Sequence, residues 1–185
     1  MDCRLDSLCR QMNGRLESQC KDTKNKSMAE KKNAISYESI MKDLKARKFA
    51  PVYVLMGDEP FYIDKICDYI AENVLQPEER DFNQTVLFGA DTTAVQVVDQ
   101  CKGYPMMAEF RVVIVKEAQS LKSLDALEKY LEKPVKSTIL VICNKNGSID
   151  RRKKFIPRAE QVGVVFESKK LYDRQLPGFI ETYLK

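Results

Sequence analysis

The residues after the first apolar run have the spacing of a nucleotide-binding turn. Residues 52–56 (VYVLM) are typical of a buried strand, and Gly57, Asp58, Glu59 and Pro60 follow it directly, before a helical pattern begins. A P-loop at such a place has a glycine, four residues and then Gly-Lys-Ser/Thr. Its backbone amides wrap the phosphates, its lysine neutralises their charge and its hydroxyl holds magnesium. The first chemistry to consider here is therefore phosphate binding.

The side chains that phosphate chemistry needs are missing. Residues 62–64 (YID) stand where Gly-Lys-Ser/Thr belongs, Pro60 has no amide hydrogen to donate, and the nearby acidic side chains repel phosphate. After the third predicted strand, where magnesium-binding ATPases carry Asp-Glu, the chain has Lys116 and Glu117. We therefore expect a degenerate nucleotide loop at residues 57–60, with no ATP hydrolysis, no cofactor and no metal.

Other catalytic chemistry is also disfavoured by the residue types. The chain has no histidine, which excludes Ser–His–Asp and Cys–His catalysis and argues against a zinc site. None of the six cysteines forms a CxxC pair, and three of them lie in apolar patterns, as free core cysteines do. This cysteine usage indicates a reducing cytoplasm. Asn144, where related ATPases place a polar sensor, is interpreted as a turn residue before Gly147.

Charge and composition divide the chain into a tail and a globular part. The first 36 residues carry eight basic and five acidic side chains, which leaves 23 basic and 22 acidic in the remainder. Residues 1–33 lack apolar periodicity and are predicted to be disordered, whereas residues 34–185 form one domain. The nearly neutral globular part argues against a nucleic-acid-binding module. No apolar run is long enough to cross a bilayer.

Strand and helix patterns alternate five times in the globular part. We predict strands at 52–56, 85–88, 111–115, 138–143 and 162–166. The strands are apolar on both faces, which is typical of a parallel sheet covered by helices on both sides. Predicted helices begin after the caps Ser36, Asp58, Asp91 and Asp173, and two more span Leu124 to Leu131 and residues 148–159. Their predicted inward residues include Ile40, Leu44, Ile63, Ile66, Ile70, Val74, Val95, Val98, Cys101, Leu127, Leu176 and Phe179.

Two adjacent methionines precede the third strand. Residues 101–116 read CKGYPMMAEFRVVIVK, and Met106 and Met107 cannot both face one core from a regular strand. One interpretation is that they fill gaps at the edge of the sheet, as methionine often does. The other is an exposed apolar contact for a partner's pocket. The residues alone leave both open and favour the first.

The chain resembles the delta-subunit family of the bacterial DNA polymerase III clamp loader. The resemblance covers residues 36–185 and rests on VYVLMGDEPFYIDK, GYPMMAEFRVVIVKEAQ, LVICNKNGSIDRRKKF and LYDRQLPGFIETYLK. It implies an AAA+-like P-loop NTPase fold with a five-stranded parallel sheet that has lost nucleotide binding. Members of the family continue into a helical lid and a collar domain, so we expect this chain to be an N-terminal fragment.

The resemblance also implies a function without catalysis by this chain. Delta is a non-catalytic subunit of the polymerase holoenzyme, a nucleotidyltransferase complex, and it binds and opens the sliding clamp (beta subunit) beside the gamma/tau and delta prime subunits. A pair of large apolar residues in the family enters a pocket on the clamp. Met106 and Met107 match that pair, with Tyr104, Pro105 and Phe110 around it, although the family pair is often Leu-Phe or Phe-Phe.

Alternative functions are an active ATPase with an unusual loop, or a DNA-binding module. The basic run of Arg151, Arg152, Lys153 and Lys154 is a possible DNA phosphate contact within an assembled loader. The favoured interpretation of that run is a solvated helix face. No residue of the chain is expected to be catalytic.

Overall fold

The computed structural model describes residues 35–150 and 154–169, which belong to one compact unit that begins at Ile35. The predicted tail and the predicted helix after Asp173 lie outside these residues, so the proposed division of the chain at residues 33 and 34 stays a prediction. No helix of the described part is long and apolar enough to cross a membrane.

Strands and helices alternate along the described residues. The strands are β1 (Val52–Gly57), β2 (Gln84–Phe88), β3 (Arg111–Lys116), β4 (Thr138–Lys145) and β5 (Val164–Ser168). The helices are α1 (Tyr37–Lys45), α2 (Pro60–Asn73), α3 (Pro77–Asn83), α4 (Ala94–Lys102), α5 (Asp125–Tyr130) and α6 (Phe155–Val162), with a 3₁₀ turn at Ala118–Ser120.

The five strands form one parallel sheet in the order β2-β3-β4-β1-β5. Val54 of β1 lies opposite Ile142 of β4 and Val165 of β5, which places the first strand inside the sheet. A five-stranded parallel sheet flanked by helices is the architecture that was predicted, and it is confirmed. Because parallel strands all point one way, their carboxyl ends share one edge of the sheet and their amino ends the other.

Apolar side chains of the central strands fill a core on each face of the sheet. Val52, Val54 and Met56 of β1 pack on the side of α4, α5 and α6, whereas Tyr53 and Leu55 pack on the side of α1 and α2. All of these side chains are buried. The central strands are therefore apolar along their length because both of their faces are buried, as predicted.

Several predicted helix features are confirmed. The Ser36 hydroxyl accepts a hydrogen bond from the Ser39 amide at 3.2 Å and caps α1. The buried stripe of α2 contains Ile63, Ile66 and Ile70, as its spacing indicated, and Val74 is buried just beyond its end. Leu127 of α5 is also buried. Cys67, Cys101 and Cys143 are free and buried, as core cysteines.

Two predicted caps are wrong. The N-cap of α2 is Glu59 rather than Asp58, because the Asp58 amide donates to the Ser168 carbonyl and keeps Asp58 in the preceding turn. The N-cap of α4 is Thr93 rather than Asp91, since Thr93 and Gln96 form a reciprocal capping box. The helix therefore starts two residues later than predicted.

The first turn of α4 differs from the prediction in which residues face the core. Val95, predicted to be inward, is 59% exposed, whereas Ala94, Val97, Val98 and Cys101 are buried. Val98 and Cys101 confirm the prediction, so the error is confined to the first turn. The S/T-x-x-Q spacing of Thr93 and Gln96 is visible in the sequence and outweighs the aspartate as a start signal.

Two other helices differ from the prediction. Pro77 lies beyond the end of α2, as expected, but it also opens α3, a helix that was not predicted. The helix predicted at residues 148–159 begins only at Phe155. Pro157 then falls in the first turn of α6, where the missing amide hydrogen costs no helical hydrogen bond, so the helix continues to Val162 and β5 starts later.

Candidate functional site

The turn after β1 uses its own amides to bind other parts of the protein. Gly57 has a φ of 134°. Its amide donates to the Gly147 carbonyl at 3.0 Å, and the Asp58 amide donates to the Ser168 carbonyl at 3.1 Å. In a P-loop such amides point at phosphate oxygens. Here the first two are already satisfied by the chain, and the proline three residues after Gly57 has none to offer.

The end of β5 lies directly against this turn. A Cβ placed on Gly57 would be 2.0 Å from the Ser168 carbonyl oxygen, far inside van der Waals contact. The glycine is therefore required by two features of the fold, its positive φ and the neighbouring backbone. Neither feature involves a ligand.

An ion pair stands where a P-loop would place its magnesium-binding hydroxyl. Asp64 of α2 occupies that position, and its Oδ1 atom lies 2.6 Å from Nζ of Lys145 at the end of β4. The hydrogen bond to Asp64 raises the pKa of Lys145 above its usual value. Both side chains are partly exposed, so the pair contributes no more than about 1 kcal/mol to stability.

The other polar residues of this edge do not converge on a ligand site in the described part. Asn144 is buried, and its Nδ2 donates to the Gly147 carbonyl at 2.8 Å, which supports its interpretation as a turn residue. Lys116 ends β3, and Glu117 follows with a φ of 55°. No group of three or more His, Cys, Asp or Glu side chains able to hold a metal occurs among residues 35–150 and 154–169.

A second candidate site lies at the opposite edge of the sheet. Residues 103–110, here called the Met loop, connect the end of α4 to the amino end of β3. Tyr104 is 83% exposed, Met106 60% and Met107 fully exposed. Both methionines therefore face solvent rather than filling gaps at the sheet edge. The residue types alone leave this open and favour packing, so the favoured interpretation is wrong.

The remaining predicted residues of this loop are half-buried and support it. Pro105 is half-buried, and Phe110 packs edge to face against Phe49 with ring centroids 5.7 Å apart. Phe110 joins the core cluster beside α1 and α2. Tyr104, Met106 and Met107 are thus exposed on one loop, whereas Phe110 is part of the packing.

The backbone of the Met loop is held by a residue that was not among the predicted site residues. Asn83, at the end of α3, accepts a hydrogen bond from the Met106 amide at 2.6 Å and donates one to the Met106 carbonyl at 2.9 Å. Met107 follows in the left-handed region, with a φ of 55°. No sequence pattern marks Asn83, because the two residues are 23 positions apart.

The predicted basic run is largely outside the described residues. Arg151, Arg152 and Lys153 are not described, and Lys154 is exposed at the start of α6. A DNA contact by these residues stays a prediction.

Comparison with known proteins gives concordant matches. A sequence model of the family described as "DNA polymerase III, delta subunit" matches residues 53–169. The DNA polymerase III subunit delta of Bacillus subtilis (strain 168) is 27% identical over an alignment of 150 residues that covers 76% of this chain and 43% of that protein. The solved Bacillus subtilis DNA clamp loader delta protein matches with a TM-score of 0.70 and 26% identity, over 78% of this chain and 45% of that chain.

A more distant likeness is also found. A DNA polymerase III gamma subunit-related protein from Thermotoga maritima is 15% identical, with a TM-score of 0.45 over 77% of this chain and 48% of that chain. The chain spans less than half the length of the Bacillus subtilis relatives that it matches.

Proposed function

The chain belongs to the DNA polymerase III delta-subunit family, and on that premise we propose that it binds and opens the sliding clamp (beta subunit) during DNA replication. It acts in the bacterial cytoplasm, at the replisome, within a clamp loader that also contains gamma/tau and delta prime subunits. It contacts DNA only indirectly, within that complex. Its own part in the polymerase assembly is mechanical and non-catalytic.

The exposure of Met106 and Met107 is the observation that carries this proposal. Two large apolar side chains lie in solvent on a loop whose backbone and base are held by buried contacts. Burying both against a partner contributes roughly 1.5–3 kcal/mol each. That is the size of an interface hot spot, and the flexible thioether suits a pocket of irregular shape.

The geometry of the turn after β1 supports the absence of ATP hydrolysis. The Gly57 and Asp58 amides bind carbonyls of the chain, Pro60 has no amide hydrogen, and Asp64 is paired with Lys145. A bound triphosphate requires several free amides and a lysine at this turn. We therefore assign the binding and hydrolysis of ATP to partner subunits rather than to this chain.

Opening a ring by binding requires differential affinity. A ligand shifts a closed–open equilibrium only by as much as it binds the open form more tightly than the closed form. Met106 and Met107, here called the Met pair, supply the anchoring contact, and the folded domain that carries them sets its orientation. The chain thus works by stabilising a clamp conformation, with no bond made or broken by its own residues.

Binding of the chain to the cognate sliding clamp, measured by surface plasmon resonance, tests the proposal. The double variant Met106→Ala/Met107→Ala should weaken binding at least about thirtyfold, since about 2 kcal/mol or more of burial is lost. Val95→Ala is the matched control, because Val95 is an exposed apolar residue at the other end of α4. Its affinity should equal that of the wild type.

The other outcomes separate the competing functions. Equal binding by the wild type and the double variant would show that the contact lies elsewhere, and no binding by the wild type would remove the proposed function. Saturable binding of a fluorescent ATP analogue with magnesium would favour an active ATPase instead. A DNA-binding module would show salt-dependent affinity for DNA in the absence of the other subunits.

A further inference from the structure

The side chain of Asn83 is a fully buried amide that uses its hydrogen-bonding groups on the Met loop. Its exposed fraction is 0%. Oδ1 accepts from the Met106 amide at 2.6 Å, whereas Nδ2 donates to the Met106 carbonyl at 2.9 Å and to the Glu79 carbonyl at 3.0 Å. The partners define which end of the amide is oxygen, because the Met106 amide can only donate and its carbonyl can only accept.

Two of these three bonds go to a single residue on another element. Pairing with both the N–H and the C=O of Met106 is what a neighbouring strand would do, and it fixes the position and plane of that backbone. The third bond, to Glu79 one turn earlier in α3, holds the Asn83 side chain itself in place. Helix α3 is thereby connected to the Met loop through one side chain.

The tip of the Met loop has no comparable support of its own. The Met107 side chain is fully exposed, so packing does not hold it, and its φ of 55° is an uncommon conformation for a residue other than glycine. Among the described residues, no hydrogen bond is found for the Met107 amide. The conformation that exposes both methionines therefore depends on the backbone of Met106, and hence on Asn83.

We propose that Asn83 is a positioning residue for the partner contact: it holds the Met106 backbone so that the Met pair is already in its binding conformation before the partner arrives. This inference rests on the proposed function of the Met pair. The partner surface it serves is an apolar pocket on the sliding clamp. A purely structural Asn83, which only closes the end of α3, would change stability but not affinity of the folded protein.

The expected change in Kd on replacing Asn83 follows from its two hydrogen bonds to Met106. Each buried neutral hydrogen bond shifts an equilibrium by a factor of about 2 to 10. If their loss lowers the fraction of binding-competent loop to about one tenth, the apparent Kd rises by the same factor of about ten. The effect should be smaller than that of removing both methionine side chains.

The test compares Asn83→Ala with Asn144→Ala in the full-length chain, using the cognate sliding clamp as the binding partner. Asn144 is the matched control, because it is also a buried asparagine whose Nδ2 donates to a loop carbonyl, but at the opposite edge of the sheet. Kd is measured where each variant is more than nine-tenths folded. Asn83→Ala should raise Kd about tenfold, and Asn144→Ala should leave it unchanged.

Each other result is decisive. If Asn83→Ala binds like the wild type while Met106→Ala/Met107→Ala does not, the positioning role is wrong and the proposed function stands. If Asn83→Ala and Asn144→Ala weaken binding equally, the effect is general destabilisation and the positioning role is again wrong. If the wild type does not bind the clamp, the proposed function fails and this inference fails with it.

Hydrogen exchange in the unmodified protein provides a test that needs no variant. The Met106 amide has a buried acceptor, whereas the next amide in the loop has no partner among the described residues. The Met106 amide should therefore exchange at least on the order of tenfold more slowly than the Met107 amide, relative to their intrinsic rates. Equal protection of the two amides would overturn the assignment even if Asn83→Ala does not fold.

Discussion

Replacing Gly57 by alanine tests whether the turn after β1 is shaped by the fold rather than by a ligand. A residue other than glycine at a φ of 134° is strained by about 1–3 kcal/mol. The added Cβ would also lie 2.0 Å from the Ser168 carbonyl oxygen, so the end of β5 must move. That movement breaks the hydrogen bond from the Asp58 amide, which is worth about 1 kcal/mol. Gly57→Ala should therefore lower the free energy of unfolding by about 2–4 kcal/mol.

Gly147→Ala is the matched control for this substitution. Gly147 also has a positive φ, 155°, but a Cβ placed there meets nothing within 4 Å. It should lower the free energy of unfolding by about 1–3 kcal/mol, the conformational part of the effect, so Gly57→Ala should cost about 1 kcal/mol more than Gly147→Ala. Urea unfolding of the wild type and both variants, followed by circular dichroism, measures the difference. If the two glycine variants lose the same stability within about 0.5 kcal/mol, the crowding against Ser168 does not determine this turn and the reasoning is refuted.

Two further predictions concern the buried groups between α4 and the sheet. Thr138→Val should lower the free energy of unfolding, measured in urea, by about 1–3 kcal/mol. The reason is that the buried Thr138 hydroxyl donates to the Cys101 carbonyl at 2.9 Å, and valine leaves that carbonyl unsatisfied. A loss of less than about 0.5 kcal/mol would contradict this prediction. Burial raises the pKa of the Cys101 thiol from 9.0 to about 12. The unfolded thiol therefore ionises first, so the contribution of Cys101 to the free energy of unfolding should be constant below pH 9 and fall by about 1.4 kcal/mol per pH unit between pH 9 and 12. Burial also raises the pKa of Tyr130 to about 12, which makes the free energy of unfolding fall further above pH 10. Cys101→Ala should remove the part of the pH dependence that comes from Cys101. If the free energy of unfolding of Cys101→Ala falls with pH as steeply as that of the wild type, the assignment is contradicted.

The elements whose patterns are local were predictable. The apolar strands, the stripe of Ile63, Ile66 and Ile70 on α2, and the Ser36 cap depend on neighbours within a turn or on burial of both strand faces. The predictions for Asp58 and Asp91 failed because an aspartate cap competes with other uses of the same backbone. The Asp58 amide is taken by Ser168, and Thr93 with Gln96 is the stronger start signal.

The exposed residues of the Met loop could be singled out from the sequence as candidates, but Asn83 and the conformation of the loop could not. Met106 and Met107 are adjacent in the chain, which makes an exposed contact one of two interpretations, and the lack of phosphate-binding side chains is evident from the residue types alone. Which way the methionines face depended on the loop conformation, including the left-handed φ of Met107. That conformation is not encoded by the types of the two residues.

By itself, the sequence determined the alternation of strands and helices, the burial of both strand faces and the lack of the P-loop residue pattern at residues 57–64. These follow from periodicity and residue type, which act over a few neighbouring positions. Only the tertiary structure decided that Ser168 closes the turn at Gly57, that Lys145 pairs with Asp64 and that Asn83 holds Met106. The physical reason is that a buried polar group binds whichever partner the fold brings within about 3 Å, and that partner is distant in the chain.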